Sequence, residues 1–224
     1  MAKKSRVEKQ FRSKSKLVAE EMRAAILAGK LTPGARLSEE SLASDLKVSR
    51  VPLRDALRRL EAEGYVTFVA HGEVAVNKPT VDEVEDYYLI AGALEGLAAR
   101  LAVERASGEE VARLRELHQA LRDAYRENDL QSYFEANSRF HGFIAETARN
   151  ERLYRLIHQM RQEIQKTRIL ALHLPQRLDY SMREHDQILD AFLKHNPDLA
   201  ESLVLKHLNN QMVAIKKVLQ PAEG

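Results

Sequence analysis

In the first sixty residues, the spacing of apolar positions predicts three helices. Apolar residues recur every three or four positions up to Gly29, which predicts an amphipathic helix that ends there. Ser38 is a suitable N-cap for a short second helix. Ser49 is a suitable N-cap for a third helix. Pro52 in the first turn of that helix supports the same start, because its backbone angle is already helical. The second and third helices are thus expected to flank a tight turn.

A pattern with a period of two follows the third helix, which is expected to end at Gly64. The buried stripe of that helix consists of Leu53, Leu57 and Leu60. Residues 65–69 and 73–76 are rich in β-branched and aromatic side chains, and they predict two strands joined by a turn at 70–72. Two short helices followed by a small hairpin predict a winged helix-turn-helix, in which the hairpin is the wing.

From Thr80 onward the pattern is helical throughout. Three capping boxes mark helix starts: Thr80 with Glu83, Ser107 with Glu110, and Ser181 with Glu184. The predicted helices lie near 80–106, 108–127, 130–147, 151–172, 181–195 and 198–219. The predicted fold class is therefore mainly α, with an N-terminal winged helix-turn-helix and a C-terminal all-α bundle.

Charge divides the chain in the same place. Residues 1–78 hold 16 Lys and Arg against 10 Asp and Glu, whereas residues 79–224 hold 19 against 23. The basic part is the candidate for a polyanionic partner. We expect a basic flexible tail at 1–14, a DNA-binding domain at 15–78 and an all-helical domain at 79–220.

Composition narrows the function classes. The chain has no cysteine, which excludes disulfides, thiolate metal sites and cysteine nucleophiles. No signal core and no run of about 20 apolar residues is present, so the sequence does not indicate export or membrane insertion. These features predict a cytoplasmic protein.

The third helix has the two faces that a recognition helix needs. Val51, Arg54 and Arg58 point away from the leucine stripe, and Arg50 lies in the first turn. Arginine there can bind guanine or phosphate, since a recognition helix enters the major groove with its first residues. The alternative is that these arginines form only a solvated face.

Residues 26–76 resemble the signature of the GntR family of bacterial regulators. The resemblance rests on Gly29, Pro33, Gly34, Leu37, Glu39, Leu42, Ala43, residues 48–57, Leu60, Glu63, Gly64 and Gly72. It implies that Arg50 and Arg54 contact DNA and that His71 and Gly72 lie at the wing tip. It also implies homodimers that bind inverted repeats in double-stranded DNA. The full candidate set is Ser49, Arg50, Val51, Pro52, Arg54, Arg58, His71 and Gly72.

The C-terminal part resembles the FCD subgroup of that family, through Leu94, Glu95 and residues 98–102. The resemblance implies a helical domain for dimerisation and effector binding, often with a divalent metal. It also implies four metal ligands, namely Asn137, His141, His185 and His207. In the DNA-binding part, the chain departs from the family at one position. Glu40 stands where some relatives carry another DNA-contacting arginine.

The residues support the same metal site without the resemblance. Each of the three histidines shares a helical face with apolar residues, so all three should point inward. A single inward histidine is more often an ordinary core residue, but three in one bundle predict a site for zinc, nickel or manganese. Asn137 is a neutral ligand, which would keep the +2 charge of the metal and favour an organic acid as effector. Ala91 argues against an acidic effector, because many relatives place an arginine there.

The sequence thus favours a ligand-responsive repressor of metabolic genes that is not an enzyme. One alternative is a metal-dependent hydrolase, because three histidines with an open position could activate water. The other is a DNA-binding protein without effector control, in which the histidines are structural.

Overall fold

The computed structural model describes residues 2–167, 170, 174 and 176–220, with the side chains of residues 2–13 and 71 outside that description. The chain forms two compact units, Met1–Pro79 and Thr80–Gly224. Within the described residues, no helix is both long and apolar enough to cross a membrane.

The first unit contains three helices and a small antiparallel sheet. Its elements in chain order are α1 (Ala2–Leu27), β1 (Arg36–Ser38), α2 (Glu39–Asp45), α3 (Arg50–Ala62), β2 (Val66–Phe68), a 3-10 turn (Ala70–Gly72) and β3 (Glu73–Val76). The strand order is β1-β3-β2, with Leu37 opposite Val74 and Val66 opposite Val76. The predicted winged helix-turn-helix fold is confirmed.

The core of this unit holds α3 in one orientation. The leucine stripe of α3 is fully buried, against residues of α1 and of the hairpin that include Met22, Val66 and Val74. Each such side chain contributes about 1.5–3 kcal/mol relative to an exposed one. The buried Ser15 hydroxyl on α1 also donates a hydrogen bond to Asp55 on α3. The opposite face of α3 is therefore presented to solvent.

Three local predictions differ from the structure of this unit. The segment 1–14, predicted as a flexible tail, continues α1 from Ala2 onward, because residues 2–27 contain neither glycine nor proline. A third strand, β1, pairs with β3; three residues are too few to show a period of two. Ser38 caps α2 as predicted, but the Ser49 side chain makes no capping hydrogen bond to α3.

The second unit is a bundle of helices, as predicted. The described helices are α4 (Val81–Arg105), α5 (Gly108–Arg126), α6 (Leu130–Thr147), α7 (Glu151–Thr167), α8 (Arg177–Leu193) and α9 (Pro197–Leu219). The capping boxes at Thr80 and Ser107 are both present. Gly92 and Gly96 allow close packing of α4 on α9, since a Cβ at Gly96 would lie 3.3 Å from the Glu201 carbonyl oxygen.

The prediction of a third capping box, at Ser181 and Glu184, is wrong. α8 begins at Arg177, so Ser181 lies inside the helix rather than at its start. α7 is described up to Thr167, and residues 168, 169, 171 and 172 of the predicted helix 151–172 lie outside the described residues. The Ser181 hydroxyl accepts a hydrogen bond from the Tyr133 hydroxyl. Glu184 contacts α9 instead of the α8 backbone. The motif misled because a serine followed by a glutamate three residues later also suits two inward-facing positions of a helix.

Candidate functional site

Three histidines from distant parts of the second unit meet in its interior. His141 lies on α6, His185 on α8 and His207 on α9, and all three are buried. One ligand atom from each lies within 4.8 Å of the other two. The structure thus brings together three of the four predicted metal ligands.

Each imidazole is oriented through its Nδ1 atom. His141 Nδ1 lies 3.1 Å from Glu95 Oε2, and His207 Nδ1 lies 2.6 Å from Glu184 Oε2. His185 Nδ1 lies 2.6 Å from the carbonyl oxygen of Ser181. Such acceptors on one ring nitrogen are typical of metal-binding histidines, because they orient the ring and leave the other nitrogen free to bind.

The Nε2 atoms are therefore the candidate ligands. His141 Nε2 and His185 Nε2 are 3.1 Å apart. If both Nδ1 atoms carry hydrogen, two lone pairs face each other, and they repel unless a proton or a cation lies between them. Two imidazoles on one ion, each about 2.0–2.1 Å from it, would have a similar separation. The arrangement fits a divalent metal.

Gln211 contacts the cluster, and Asn137 lies on the same helix as His141. The Gln211 amide nitrogen lies 2.6 Å from His207 Nε2, so this amide must turn before a cation can take that lone pair. Asn137, the fourth predicted ligand, is buried on α6 one turn before His141. Its neutral amide matches the neutral imidazoles in charge.

Burial lowers the pKa of all three histidines. In His141 burial and the nearby Arg161 charge lower the pKa to about 3, although Glu95 opposes them. Burial also sets the direction for His185 and His207, and Glu184 opposes it in His207. The cluster is therefore neutral at neutral pH, which is the form that binds metal.

The carboxylates behind the histidines are ionised. Burial raises the pKa of Glu95, but Arg161 and His141 lower it more, so it lies well below its usual range. Arg161 Nη2 donates to Glu95 Oε2 over 2.8 Å. Burial likewise raises the pKa of Glu184, and the His207 hydrogen bond and charge help to lower it to about 2. Negative charge is thus held next to the rings that would bind a cation.

The second candidate site is the exposed face of α3. Arg50, Val51, Arg54 and Arg58 are all exposed, as predicted for a recognition helix. Arg54 Nε lies 3.4 Å from Glu39 Oε2, and Arg50 Nη2 lies 3.8 Å from Glu40 Oε1. Only the Arg50–Glu40 pair is exposed on both sides, since the Glu39 side chain is 12% exposed. Exposed ion pairs are weak, about 0–1 kcal/mol, so Arg50 can exchange its carboxylate for phosphate or a base. Arg54 is itself 57% exposed, which leaves it within reach of DNA.

Not every predicted DNA-contacting residue lies on this face. Ser49 is exposed just before α3, but Pro52 is buried in the first turn, where it shapes the start of the helix. His71 and Gly72 lie in the 3-10 turn that joins β2 to β3, and the His71 side chain is outside the described part of the chain. Gly72 has a φ of 76°, which favours glycine.

Sequence reasoning missed the polar residues that orient the cluster. Glu95 and Arg161 meet although they are 66 positions apart, and no local pattern links them. The capping-box interpretation of Glu184 concealed its contact with His207. Gln211 could have been found, because it follows His207 by one helical turn.

Family models match both units. Residues 86–210 match the model described as FCD domain. Residues 14–81 match the model described as bacterial regulatory proteins, gntR family. The FCD match alone covers more than half of the chain.

Relatives of known name match over most of their length. The Nta operon transcriptional regulator of Aminobacter aminovorans is 30% identical over 85% of this chain and 89% of its own. YdhC of Bacillus subtilis, named an HTH-type transcriptional regulator, is 29% identical over 87% and 88%. The HTH-type transcriptional repressor RspR of Escherichia coli is 25% identical over 85% and 83%.

Solved structures share the fold. A transcriptional regulator GntR from Rhodococcus sp. RHA1 has a TM-score of 0.73 at 24% identity, over 91% of this chain and 97% of that one. McbR/YncC of Escherichia coli has a TM-score of 0.71 at 21% identity, over 91% and 97%. At these identities the likeness concerns the fold alone.

Proposed function

Since the chain belongs to the GntR family of bacterial regulatory proteins and carries an FCD domain, we propose that it is a repressor controlled by a small organic acid and a divalent metal. The chain is a DNA-binding transcriptional regulator, like the relatives named above, and it is not an enzyme. The hydrolase alternative is therefore not supported. A repressor acts on the chromosome, so we place it in the bacterial cytoplasm.

The observation that carries the proposal is the convergence of three buried histidines, each oriented by its own acceptor. We assign His141, His185 and His207 as the ligands of one divalent ion, with Asn137 as a weak fourth. Imidazole nitrogen suits zinc and nickel, and manganese is the third candidate. When bound, the ion would supply a positive centre that attracts a carboxylate.

For DNA binding we assign Arg50, Val51, Arg54 and Arg58 on α3, together with Ser49 and the wing residues His71 and Gly72. The exposed face of α3 supports this assignment, because three arginines project from it around a single apolar residue. Pro52 is assigned to the first turn of α3 rather than to a DNA contact, because it is buried.

We expect the full chain to bind an inverted repeat as a homodimer, with one recognition helix in each half-site. A two-fold protein imposes two-fold symmetry on its DNA, and half-sites are then one helical turn apart, about 34–36 Å, or a multiple of that. Operators selected from genomic fragments, followed by light scattering of the complex, test this. One chain per operator, or selected sites without an inverted repeat, would contradict it.

Asn137→Asp should separate the metal from its effector. The added carboxylate is expected to tighten metal binding, about 10-fold or more, because a charged ligand replaces a neutral one. It should weaken an anionic effector, because it cancels part of the positive charge that attracts the anion. Zinc competition with a chelator, and thermal shifts with a panel of small carboxylates, measure the two effects. Parallel changes of the same sign would argue against an acidic effector on the metal.

Release of the operator on addition of an effector distinguishes this function from unregulated DNA binding. The metal-loaded protein should lose operator affinity with one or more carboxylates of the panel, and the metal-free protein should not. An operator affinity that no member of the panel changes would favour a DNA-binding protein without effector control.

A further inference from the structure

A groove of about 500 Å³ opens on the surface of the second unit, between the α5–α6 pair and α7. Its volume falls within the range of small-molecule sites, about 300–1,000 Å³. Phe143 and Ile157 supply part of an apolar wall. Among the charged residues that line it are Arg113, Arg139 and Arg161, against the single acidic residue Glu146. Arg113 and Arg139 form exposed ion pairs with glutamates of their own helices, and such pairs are weak enough to exchange for a ligand carboxylate. The lining therefore suits an anion with an apolar body.

Gly142 widens the groove at its α6 wall. A Cβ atom added at this glycine would meet nothing within 4 Å, so the position faces open space. Glycine inside a helix costs about 1 kcal/mol relative to alanine. The glycine keeps this part of the groove free of a side chain.

Arg161 connects this groove to the histidine cluster. It lines the groove, yet its side chain is only 16% exposed, and it donates to Glu95, which in turn holds His141. Its buried Nε, like Glu95 Oε1, has no hydrogen-bond partner among the described residues. Arg161 thus keeps unused hydrogen-bonding capacity beside the groove that it lines.

We propose that this groove is a second ligand site of the helical domain, which binds a small organic acid with an apolar body, and that Arg161 transmits its binding to the histidine cluster through Glu95. The binding half of this proposal is independent of any metal. The transmitting half rests on the proposed function, because it requires a cation at the histidines.

The direction of the coupling follows from the chain of contacts. A carboxylate in the groove takes part of the Arg161 charge, which leaves more of the Glu95 charge to act on the Nδ1–H of His141. A more strongly polarised imidazole is a better metal ligand. Organic acid and metal should therefore favour each other, and by linkage each raises the affinity of the other by the same factor, about five-fold or more.

Benzoate and its neutral counterpart benzamide are suitable probes. In ligand-observed NMR titrations of the metal-free full chain, benzoate should bind about 10-fold more tightly than benzamide, since only the anion gains charge-assisted hydrogen bonds. Arg161→Gln and Arg139→Gln should each weaken benzoate by about five-fold or more. Gly142→Leu keeps every charge but fills the groove, and should abolish binding. Arg155→Gln is the matched control, because Arg155 lies on α7, is exposed and does not line the groove.

Zinc competition with and without benzoate then tests the coupling. Wild type and Arg139→Gln, at saturating benzoate, should gain zinc affinity, whereas Arg161→Gln should not. If Arg161→Gln fails to fold, Gly142→Leu tests whether the benzoate effect on zinc arises in the groove, because this variant should lose that effect while its basal zinc affinity stays unchanged.

The outcomes separate the groove from the metal centre. Benzoate that binds only the zinc-loaded protein, and that ignores the groove variants, would overturn the groove site. Tight benzoate binding with no change in zinc affinity would overturn the role of Arg161. A wild type that takes up no metal would refute the proposed metal centre, and the metal-free titration would still decide the groove.

Discussion

Replacing His185 with alanine is expected to abolish metal binding by the helical domain. His185 is completely buried, its Nε2 lies 3.1 Å from that of His141, and its ring centroid lies 4.6 Å from that of His207. Its loss removes one of the three imidazoles and breaks the geometry of the other two. Even the loss of an orienting partner costs 10- to 100-fold in metal affinity, so we expect a loss of more than about 100-fold here.

The measurement is metal content by mass spectrometry, after reconstitution with zinc, nickel or manganese and removal of free metal. His118→Ala is the matched control, because His118 is also buried in the helical bundle but lies outside the cluster. Wild type and the control should hold one ion per chain and His185→Ala almost none. Equal and negligible metal in all three proteins would return the trio to ordinary core histidines.

Operator binding without effector should survive in His185→Ala. The residues assigned to DNA lie in the unit Met1–Pro79, and the cluster lies in Thr80–Gly224. The variant should therefore bind the operator with an affinity similar to that of wild type, and lose the response to effector. Loss of basal binding together with the metal would mean that the metal is required for the DNA-binding state itself.

The second large effect is expected for Arg54→Ala. Arg54 is 57% exposed near the centre of the recognition face, and its Nε lies 3.4 Å from Glu39, which limits its freedom before DNA binds. A bidentate contact with a base contributes about 1–3 kcal/mol of discrimination, which is roughly 5- to 150-fold in affinity. Discrimination should relax at one position in each half-site, because a single side chain reads that position.

Titration of the operator and of singly substituted operators measures both effects. Arg59→Ala is the control on the same helix, because Arg59 is turned about 140° from Arg54 and lies near Asp55, the partner of Ser15 on α1. An Arg54→Ala variant that binds the operator as tightly and as selectively as wild type would contradict the assignment of α3 as the recognition helix.

Lys47→Ala should behave differently from Arg54→Ala. Lys47 is exposed in the turn before α3 and has a φ of 52°. A phosphate contact there would carry no sequence information, so its loss should weaken binding to all DNA sequences alike. The slope of the logarithm of the binding constant against the logarithm of the salt concentration should fall in magnitude by about one. Operator and random DNA titrated over a range of salt concentrations distinguish the two classes of contact.

Much of the fold follows from local pattern. The leucine stripe of α3, the wing hairpin and the starts of α4 and α5 were all predictable, because helix and strand periods and capping boxes involve residues close together in the chain. The family was also recognisable from roughly fifty residues in register. The short strand β1 was not, because its identity depends on pairing with a strand about 37 positions later.

The sequence by itself determined which residues can act: inward histidines on three helices, and outward arginines on one. Only the tertiary structure decided that the histidines meet, and that Glu95, Glu184 and the Ser181 carbonyl orient them. It also decided that Arg161 reaches from a surface groove to the back of His141 through Glu95. Helical periodicity specifies only the direction of each side chain around its own axis. Which faces meet, and at what height along the bundle, depends on the packing of all the helices together.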